Sequence, residues 1–290
     1  CPGLTSIEIP ESVTSIGYNA FSGSALEEVV FHEGLQTIDK SAFANTNLTS
    51  IDMPDTVTSI GGLAFQNCVN LRKVTLSKRL KTMGASTFGN CASLTEIEIP
   101  KSLTEVTSVD LTGCFEGCGK LSKVTFEEGT TQVVPKLFRN CPGLTSIEIP
   151  ESVTSIGYNA FSGSALEEVA FHDGLQTIGK DAFSGTKLTS VKLPDTVTTI
   201  GAMAFQNCNL LQTVELSAKL EILGSGAFKN CGTLTSIVIP KSLKKVSSTS
   251  SPFEGCANLS GVTIEAGISQ IPAYLFRSCT GFTTITPPTA

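Results

Sequence analysis

The cysteines are the side chains in this sequence most able to carry chemistry. Ten occur in 290 residues, a number that raises the possibility of disulfide bonds or a zinc site. Cys114 and Cys118 have a spacing that resembles half of a metal site, but no histidine accompanies them, as a zinc site would usually require. Cys114 also stands directly before a phenylalanine, where alanine stands in most other repeats. We therefore predict neither a metal site nor a cofactor.

The other nine cysteines recur at one position, three residues before a leucine that opens a strand-like pattern. They are Cys1, Cys68, Cys91, Cys118, Cys141, Cys208, Cys231, Cys256 and Cys279. Repeats without this cysteine carry serine or threonine nearby, as at Ser24 and Thr46. Because a small-residue position suits a small buried hydrophobe, we favour free, buried thiols. Disulfides between adjacent repeats are the alternative, although side chains that point the same way from stacked strands rarely satisfy the disulfide torsion.

The sequence does not supply the other parts of a catalytic site. Its two histidines, His32 and His172, occupy the same position of a duplicated segment, so they are far apart and cannot form one site. An enzyme needs a nucleophile, an acid or base and a stabilising partner together. We find no glycine-rich phosphate loop and no clustered triad, and we predict that the chain is not an enzyme.

A verbatim duplication points to architecture. Residues 1–29 recur unchanged as residues 141–169. A leucine marks each repeat: Leu4, Leu26, Leu48, Leu71, Leu94, Leu121, Leu144, Leu166, Leu188, Leu211, Leu234 and Leu259. The spacing is 22 or 23 residues, except for one step of 27 and one of 25. We predict one repeat array over 1–290, with about twelve coils in two six-coil blocks, 1–140 and 141–278, and a short C-terminal end.

Composition narrows the classes of partner. Charged residues make up 16% of the chain, the net charge is −6, and acidic and basic side chains are scattered without a basic run. Nucleic acid and anionic membranes are therefore not expected partners. No stretch approaches the roughly 18 apolar residues of a membrane span, so no membrane insertion is expected. The sequence begins in the middle of a repeat at Cys1, which suggests a segment of a longer protein, and we expect a monomer.

Each coil has a recognisable order of elements. The pattern Leu-x-x-Ile-x-Ile predicts a strand with one buried face, stacked into a parallel sheet in which each strand bonds to both neighbours. Proline closes every second strand, so the unit is predicted to be a pair of coils, about 45 residues long. A second apolar pair predicts a short extended segment on the opposite side. Glycine often follows it, at Gly17, Gly61, Gly84, Gly201 and Gly224, where we expect a corner with positive φ.

One phenylalanine per coil recurs at fixed phase and predicts a buried spine. Its members are Phe21, Phe43, Phe65, Phe88, Phe115, Phe138, Phe161, Phe183, Phe205, Phe228, Phe253 and Phe276. Asparagines recur at a corner two residues further on, and we expect them to bridge unpaired backbone groups. They are Asn45, Asn67, Asn90, Asn140, Asn207 and Asn230.

The combined pattern Leu-x-x-Ile-x-Ile-Pro-x-x-Val-x-x-Ile-Gly-x-x-Ala-Phe-x-x-Cys resembles leucine-rich repeats of the BspA-like type, found on bacterial and some protist surfaces. The resemblance implies a right-handed leucine-rich-repeat solenoid of the β-rich α/β type. Each 22–23-residue coil would contribute one short strand to a parallel sheet, with short extended and helical-turn segments on the other side. It also implies an extracellular or cell-surface protein that binds other proteins, such as host matrix or neighbouring-cell components, without enzymatic activity.

The exposed positions of the strands are the candidate partner-binding face. They are Glu8, Glu28, Asp52, Lys73, Glu96, Glu98, Glu148, Glu168, Lys192 and Glu215. The two longer coils offer a second candidate, because extra residues near 105–113 and 246–252 predict loops on a rigid scaffold. Their central residues are Val109, Asp110, Leu111, Ser248, Thr249 and Ser250. A passive spacer that presents another domain is the alternative function.

Overall fold

The protein is a parallel-strand β-solenoid, and this confirms the predicted fold class. The structure, a computed structural model, describes residues 3–107, 112–247, 250–281 and 285–286. The regular secondary structure in these ranges consists of short β-strands, and all their pairings are parallel. The segments predicted as helical turns are isolated turns in these ranges and do not continue into helices. Within the same ranges, no helix is long and apolar enough to cross a membrane.

The first set of strands, here called A strands, follows the leucine of each coil; labels number all strands in chain order. The A strands are β1 (Ser6–Glu8), β3 (Glu28–Val30), β5 (Ser50–Asp52), β7 (Lys73–Thr75), β9 (Glu96–Ile99), β11 (Lys123–Phe126), β13 (Ser146–Glu148), β15 (Glu168–Ala170), β17 (Ser190–Lys192), β19 (Thr213–Glu215), β21 (Ser236–Ile239), β23 (Gly261–Ile264) and β24 (Ile285–Thr286). In β5, Ile51 is buried between the exposed Ser50 and Asp52, and this alternation recurs along the set.

The second set, here called B strands, forms at the second apolar pair of each coil. The B strands are β2 (Ser15–Ile16), β4 (Thr37–Ile38), β6 (Ser59–Ile60), β8 (Thr82–Gly84), β10 (Glu105–Thr107), β12 (Gln132–Val133), β14 (Ser155–Ile156), β16 (Thr177–Ile178), β18 (Thr199–Ile200), β20 (Ile222–Leu223) and β22 (Lys245–Val246). Eleven coils of the described chain therefore carry a B strand as well as an A strand.

The chain divides into two compact units, Cys1–Thr130 with Val134–Thr145, and Thr131–Val133 with Ser146–Ala290. We call them unit 1 and unit 2. In unit 1 the B strands form one five-stranded sheet in the order β10-β8-β6-β4-β2. In unit 2 they form one six-stranded sheet, β12-β14-β16-β18-β20-β22. The single array over 1–290 stays a prediction.

The A strands do not form the continuous sheet that the sequence predicted. They pair two by two in unit 1, as β1–β3, β5–β7 and β9–β11. Unit 2 has the pairs β13–β15 and β17–β19 and the group β21-β23-β24. The two-coil unit inferred from alternate prolines thus corresponds to a strand pair, and a seam without ladder hydrogen bonds separates β3 from β5 and β7 from β9.

Proline accounts for the seams. The Met53 N–H donates to the Thr75 carbonyl at 3.1 Å, toward β7. Because successive backbone N–H groups of a strand point to opposite edges, the nitrogen of Pro54 faces β3, and proline has no hydrogen to donate there. Leu193 donates to the Glu215 carbonyl in the same way at 3.0 Å, and Pro194 follows it. Proline therefore ends the ladder on the edge that faces the preceding coil.

The phenylalanines lie in one parallel stack within each unit. In unit 1 the stack runs from Phe21 to Phe138, with neighbouring ring centroids 5.1–5.5 Å apart and interplanar angles of 16° or less. In unit 2 it runs from Phe161 to Phe276, with spacings of 5.2–6.5 Å. All rings except Phe21 and Phe276 are fully buried. The stack supplies much of the apolar burial of each coil.

The glycine column marks a close approach of two backbones, and the predicted positive φ is wrong. None of the five glycines named for this corner lies among the positive-φ residues of the described chain. A Cβ on Gly201 would lie 2.6 Å from the Gly179 carbonyl carbon, and one on Gly224 would lie 2.2 Å from that of Gly201. A side chain at Gly61, Gly84, Gly201 or Gly224 would collide with the preceding coil, whereas a Cβ on Gly17 would have no atom within 4 Å.

The asparagine corners carry the positive φ instead. Asn45, Asn67 and Asn90 have φ between 57° and 58°, a left-handed conformation that asparagine tolerates better than most residues. The sequence predicted that their side chains bridge backbone groups, and the structure shows bonds between the side chains instead. Asn67 Nδ2 donates to Asn45 Oδ1 at 2.9 Å, and Asn90 Nδ2 donates to Asn67 Oδ1 at 3.0 Å. Asn230 and Asn207 repeat the contact in unit 2 at 2.9 Å. Successive asparagines thus form a short amide ladder, whereas Asn140 Nδ2 donates to Glu116 Oε1 at 2.9 Å.

Candidate functional site

The exposed side chains of the A strands form a surface in each unit, here called the A face. All ten candidate residues named for it are exposed. The residues between them on each strand are buried or half-buried: Ile97, for example, lies between Glu96 and Glu98 and is 3% exposed. Because the buried positions fix the strand, the exposed positions are free to vary without loss of the core.

Some A-face charges pair with a neighbouring strand. Lys123 Nζ lies 3.0 Å from Glu96 Oε2, and Lys192 Nζ lies 3.1 Å from Glu215 Oε2. Both pairs are exposed, so each stabilises the fold by no more than about 1 kcal/mol. These pairs reduce the local charge without fixing the strands.

The two histidines meet A-face carboxylates. His32 Nε2 lies 2.7 Å from Glu8 Oε1 in unit 1, and His172 Nε2 lies 3.2 Å from Glu148 Oε1 in unit 2. Each pair joins adjacent coils, and Glu8 and Glu148 are strongly exposed. The duplication has therefore copied one surface contact into both units and has not assembled a site from two unlike halves.

One coil of unit 1 carries an uncompensated positive charge. Residues 69–91, here called the basic coil, contain five lysine or arginine residues and no aspartate or glutamate. They are Arg72, Lys73, Lys78, Arg79 and Lys81, and all five are exposed. Within the described chain, none of them makes an ion pair. Of the five, the sequence analysis had named Lys73 alone, although their clustering without acids was visible in the sequence.

Two depressions border the basic coil, one at the seam between β7 and β9 and the other at the turns that follow β3, β5 and β7. One, of ≈ 320 Å³, is lined by Lys73, Lys78, Glu96 and Glu98 above an apolar floor that includes Ile97. The other, of ≈ 460 Å³, is lined by residues 31–33, 52–55, 75–76 and Lys78. Thr75, Leu76 and Lys78 border both. Unit 1 thus has two surface depressions beside its most basic coil.

The cysteine column is buried from Cys68 to Cys256 and bonds to the phenylalanine turns, whereas Cys279 is half-exposed and Cys1 lies outside the described residues. Cys68 Sγ donates to the Phe43 carbonyl at 3.3 Å, and Cys118 Sγ donates to the Phe88 carbonyl at 3.1 Å. Thr46 occupies the same column and donates to the Phe43 carbonyl at 2.9 Å. Every cysteine from Cys68 onward is free. The thiols therefore act as hydrogen-bonding members of the core.

Burial keeps these thiols protonated. It raises the pKa of Cys118 and of Cys141 to about 12, and that of Cys208 to about 11. Burial also raises the pKa of Cys114, whose Sγ donates to the Gly84 carbonyl at 3.4 Å. Because the thiolate is both the nucleophile and the metal ligand, these residues are poorly suited to either role. The described ranges contain no group of three or more His, Cys, Asp or Glu residues placed to hold a metal ion.

The candidate loops of the longer coils are only partly described. Val109, Asp110, Leu111, Ser248 and Thr249 lie outside the described residues. Ser250 is half-buried. The extra residues begin later than predicted, because residues 105–107 form β10 and residues 245–246 form β22.

Comparisons with known proteins address the fold and the family. No curated protein matches the sequence. Among solved structures, the pneumococcal vaccine antigen PcpA is 23% identical over 93% of this chain and 64% of its own, with a TM-score of 0.53. A leucine-rich repeat protein from Eubacterium ventriosum is 24% identical over 90% of this chain and 78% of its own, with a TM-score of 0.51. These likenesses show a shared fold, and the chain spans less than two thirds of the length of PcpA.

The family profile described as the BspA type leucine-rich repeat region, in 6 copies, matches residues 1–114, 107–211 and 199–290. These three matches together cover the full length of the sequence. The chain therefore belongs to the family of BspA-type leucine-rich repeat proteins.

Proposed function

We propose that this chain is a non-catalytic, protein-binding scaffold of a cell-surface or secreted protein, and that it adheres to host matrix or neighbouring cells through its A face. Leucine-rich repeat scaffolds of this family act as interaction surfaces, and the BspA-like type is found on cell surfaces. The partner would be a protein, and the chain would act as a monomer.

The division between constant and variable positions in the fourth and fifth coils of each block carries the proposal, whereas the A-face residues Glu8 and Glu28 recur unchanged as Glu148 and Glu168. Between the duplicated blocks the buried centres Val74 and Ile97 correspond to Val214 and Ile237. The exposed positions beside them differ, and Glu98 corresponds to Val238. A scaffold that keeps its core and changes its exposed strand positions is suited to present different surfaces to different partners.

The chemistry of the titratable groups supports a non-catalytic role. The histidines lie in different units, and each bonds to an exposed carboxylate of the adjacent coil. Burial raises the pKa of the column thiols, so they are poor nucleophiles. These side chains stabilise or decorate the coils and do not converge on a reactive centre.

Binding to a panel of purified extracellular-matrix and cell-surface proteins tests the proposal. The full chain is compared with a variant in which Glu8, Asp52, Glu98 and Glu148 are changed to lysine. We expect saturable binding by the wild type and an affinity that differs at least about tenfold in the variant, because several exposed charge contacts would change sign at once.

Circular dichroism and thermal unfolding of the variant provide the control for its fold. Saturable binding that the variant retains in full would move the site away from the A face. Absence of binding to every panel member would contradict the proposal and favour a passive spacer.

A further inference from the structure

The five cations of the basic coil follow the course of the coil. Arg72 and Lys73 lie at the start of β7, Lys78 and Arg79 lie in the turn that follows it, and Lys81 directly precedes β8. Five like charges on one short segment repel each other and are unfavourable for folding unless another group compensates them. Within the described residues none of them has an acidic partner, so the charge is directed to solvent.

The neighbouring coils confine this charge to a narrow band. Asp52 lies on β5 on one side, and Glu96 and Glu98 lie on β9 on the other, all of them exposed. Asp55 accepts a hydrogen bond from the backbone N–H of Lys78 at 2.8 Å and so holds the turn that carries Lys78 and Arg79. An anionic partner wider than one chain would meet these carboxylates, whereas a single extended chain laid along the coil would not.

The duplicated block shows that the cations are not needed for the fold. The corresponding positions are Gln212, Thr213, Ala218, Lys219 and Glu221. Their net charge is zero, one lysine against one glutamate, compared with five positive charges in the basic coil. The same strands form in both places, as β7 and β8 in unit 1 and β19 and β20 in unit 2. The two blocks therefore differ in surface charge at these positions and have the same strands.

We propose that the basic coil is the docking site for an extended acidic segment of the partner protein. This inference rests on the proposed function, since it names the part of the surface and the class of partner segment. The stretch from Lys73 to Lys78 covers six residues. An extended peptide of about six residues spans roughly 20 Å, so carboxylates at alternate positions can reach both basic pairs. The depressions on either side give room for the side chains between them.

A labelled acidic peptide tests the proposal. The probe is a fluorescein-labelled peptide of about eight residues with glutamate at alternate positions, and its control has glutamine at those positions. The first variant of the full chain takes the residues of the other block: Arg72→Gln, Lys73→Thr, Lys78→Ala, Arg79→Lys and Lys81→Glu. Since unit 2 folds with these residues, the variant changes charge with the least risk to the fold.

A second variant transfers the site. It carries the first set together with Gln212→Arg, Thr213→Lys and Ala218→Lys in unit 2. Glu221 is kept, because its Oε1 lies 2.6 Å from Lys244 Nζ. This variant asks whether the cations confer binding on a coil that has the same backbone and lacks them.

Fluorescence anisotropy then gives the result. We expect the wild type to bind the glutamate peptide and not the glutamine peptide, and to lose affinity as salt rises from about 0.05 M to about 0.5 M. The first variant is expected to bind at least about tenfold more weakly, since each exposed ion pair changes the dissociation constant by up to about fivefold. The transferred variant should recover binding.

Several outcomes would overturn the proposal. These are no binding of the glutamate peptide by the wild type, equal binding by the first variant, or binding of a heparin fragment in place of the peptide, which would assign the coil to sulfated polysaccharide. If panel proteins bind the wild type and the first variant equally, the proposed function stands and the docking site is wrong. If the peptide binds as expected and no panel protein does, the docking site stands and the matrix adhesion is wrong.

Discussion

Truncation of Phe88 to alanine should be among the most destabilising single changes in unit 1. The ring is fully buried, and it lies between Phe65 at 5.3 Å and Phe115 at 5.5 Å, nearly parallel to both. Removal of a buried phenylalanine costs about 3–5 kcal/mol from lost burial and the remaining cavity. The substitution also removes two ring–ring contacts, each worth about 0.5–1.5 kcal/mol beyond the buried area. We therefore expect a cost in the upper half of the range of about 3–5 kcal/mol.

Two matched variants calibrate this value. Phe21 has the same phase but is half-buried and stacks on Phe43 at 5.1 Å, so Phe21→Ala should cost about 1–2 kcal/mol. Phe228 stands 140 residues after Phe88 and lies between Phe205 at 5.2 Å and Phe253 at 5.8 Å. Phe228→Ala should therefore cost nearly as much as Phe88→Ala.

Denaturant unfolding followed by far-ultraviolet circular dichroism measures these differences. Because repeat proteins can unfold in parts, the transition is fitted together with hydrogen exchange of the B-strand amides, which report each unit separately. Equal losses for Phe88→Ala and Phe21→Ala would refute the reasoning, since they would show that the stacked interior ring contributes no more than the end of the stack.

Four further predictions test other parts of the account. Asn67→Ala should lower the free energy of unfolding by about 1–2 kcal/mol, and Asn67→Gly should lower it by about half as much. Both variants lose the side-chain bonds to the neighbouring asparagines, but glycine adopts the φ of 57° without strain. Chemical denaturation of both variants measures the difference. Gly201→Ala should cost about 1–3 kcal/mol because its Cβ would lie 2.6 Å from neighbouring backbone, whereas Gly17→Ala, with no atom within 4 Å, should be nearly neutral in the same assay. Cys118 should resist alkylation at neutral pH in the native state while the half-exposed Cys279 reacts first, and mass spectrometry with and without denaturant checks the order. Burial raises the pKa of Cys118 from 9.0 to about 12, so the contribution of the protonated thiol to stability should be complete below pH 9.0 and lost as pH rises toward 12. The free energy of unfolding, measured across that range, should therefore decline less in Cys118→Ala than in the wild type.

The repeat itself is predictable because burial recurs at fixed phase. Every coil needs the same apolar positions facing inward, so Leu48, Phe43 and Ile51 appear at constant spacing and predict the strand and the spine. The alternation of proline likewise predicts the two-coil unit. These features depend on the residues within one coil, so each coil of the chain supplies a separate instance of the same pattern.

The relations between coils are not visible in the same way. The sequence shows that Pro54 ends a strand, but the direction of its nitrogen toward β3 depends on which edge Met53 uses, and so the seams were not predicted. Gly201 looks like a turn residue until the backbone of Gly179 is placed against it. Asn67 recurs at a corner, yet its partner is the asparagine of the next coil and not its own backbone. Short-range pattern leaves these contacts between coils undetermined.

The A face is exposed as predicted, and its role in binding stays a prediction. Exposure follows from strand alternation, so Asp52 and Glu98 could be named in advance. The basic coil could also have been found by counting charge within each repeat, where Arg72 to Lys81 stand without an acid. A count over the whole chain concealed it, because the net charge of −6 averages over all the coils.

The central claim, that the A face is the binding surface, is tested most directly by two charge-matched variants of unit 1. One carries Asp52→Lys and Glu98→Lys on the A face, and the other carries Asp39→Lys and Glu105→Lys, at exposed positions after β4 and within β10. The affinity of each for a panel protein that binds the wild type is measured by surface plasmon resonance. The account predicts a several-fold change in affinity for the A-face variant and little change for the other. Equal effects, or a larger change in affinity for the variant with Asp39→Lys and Glu105→Lys, would contradict it.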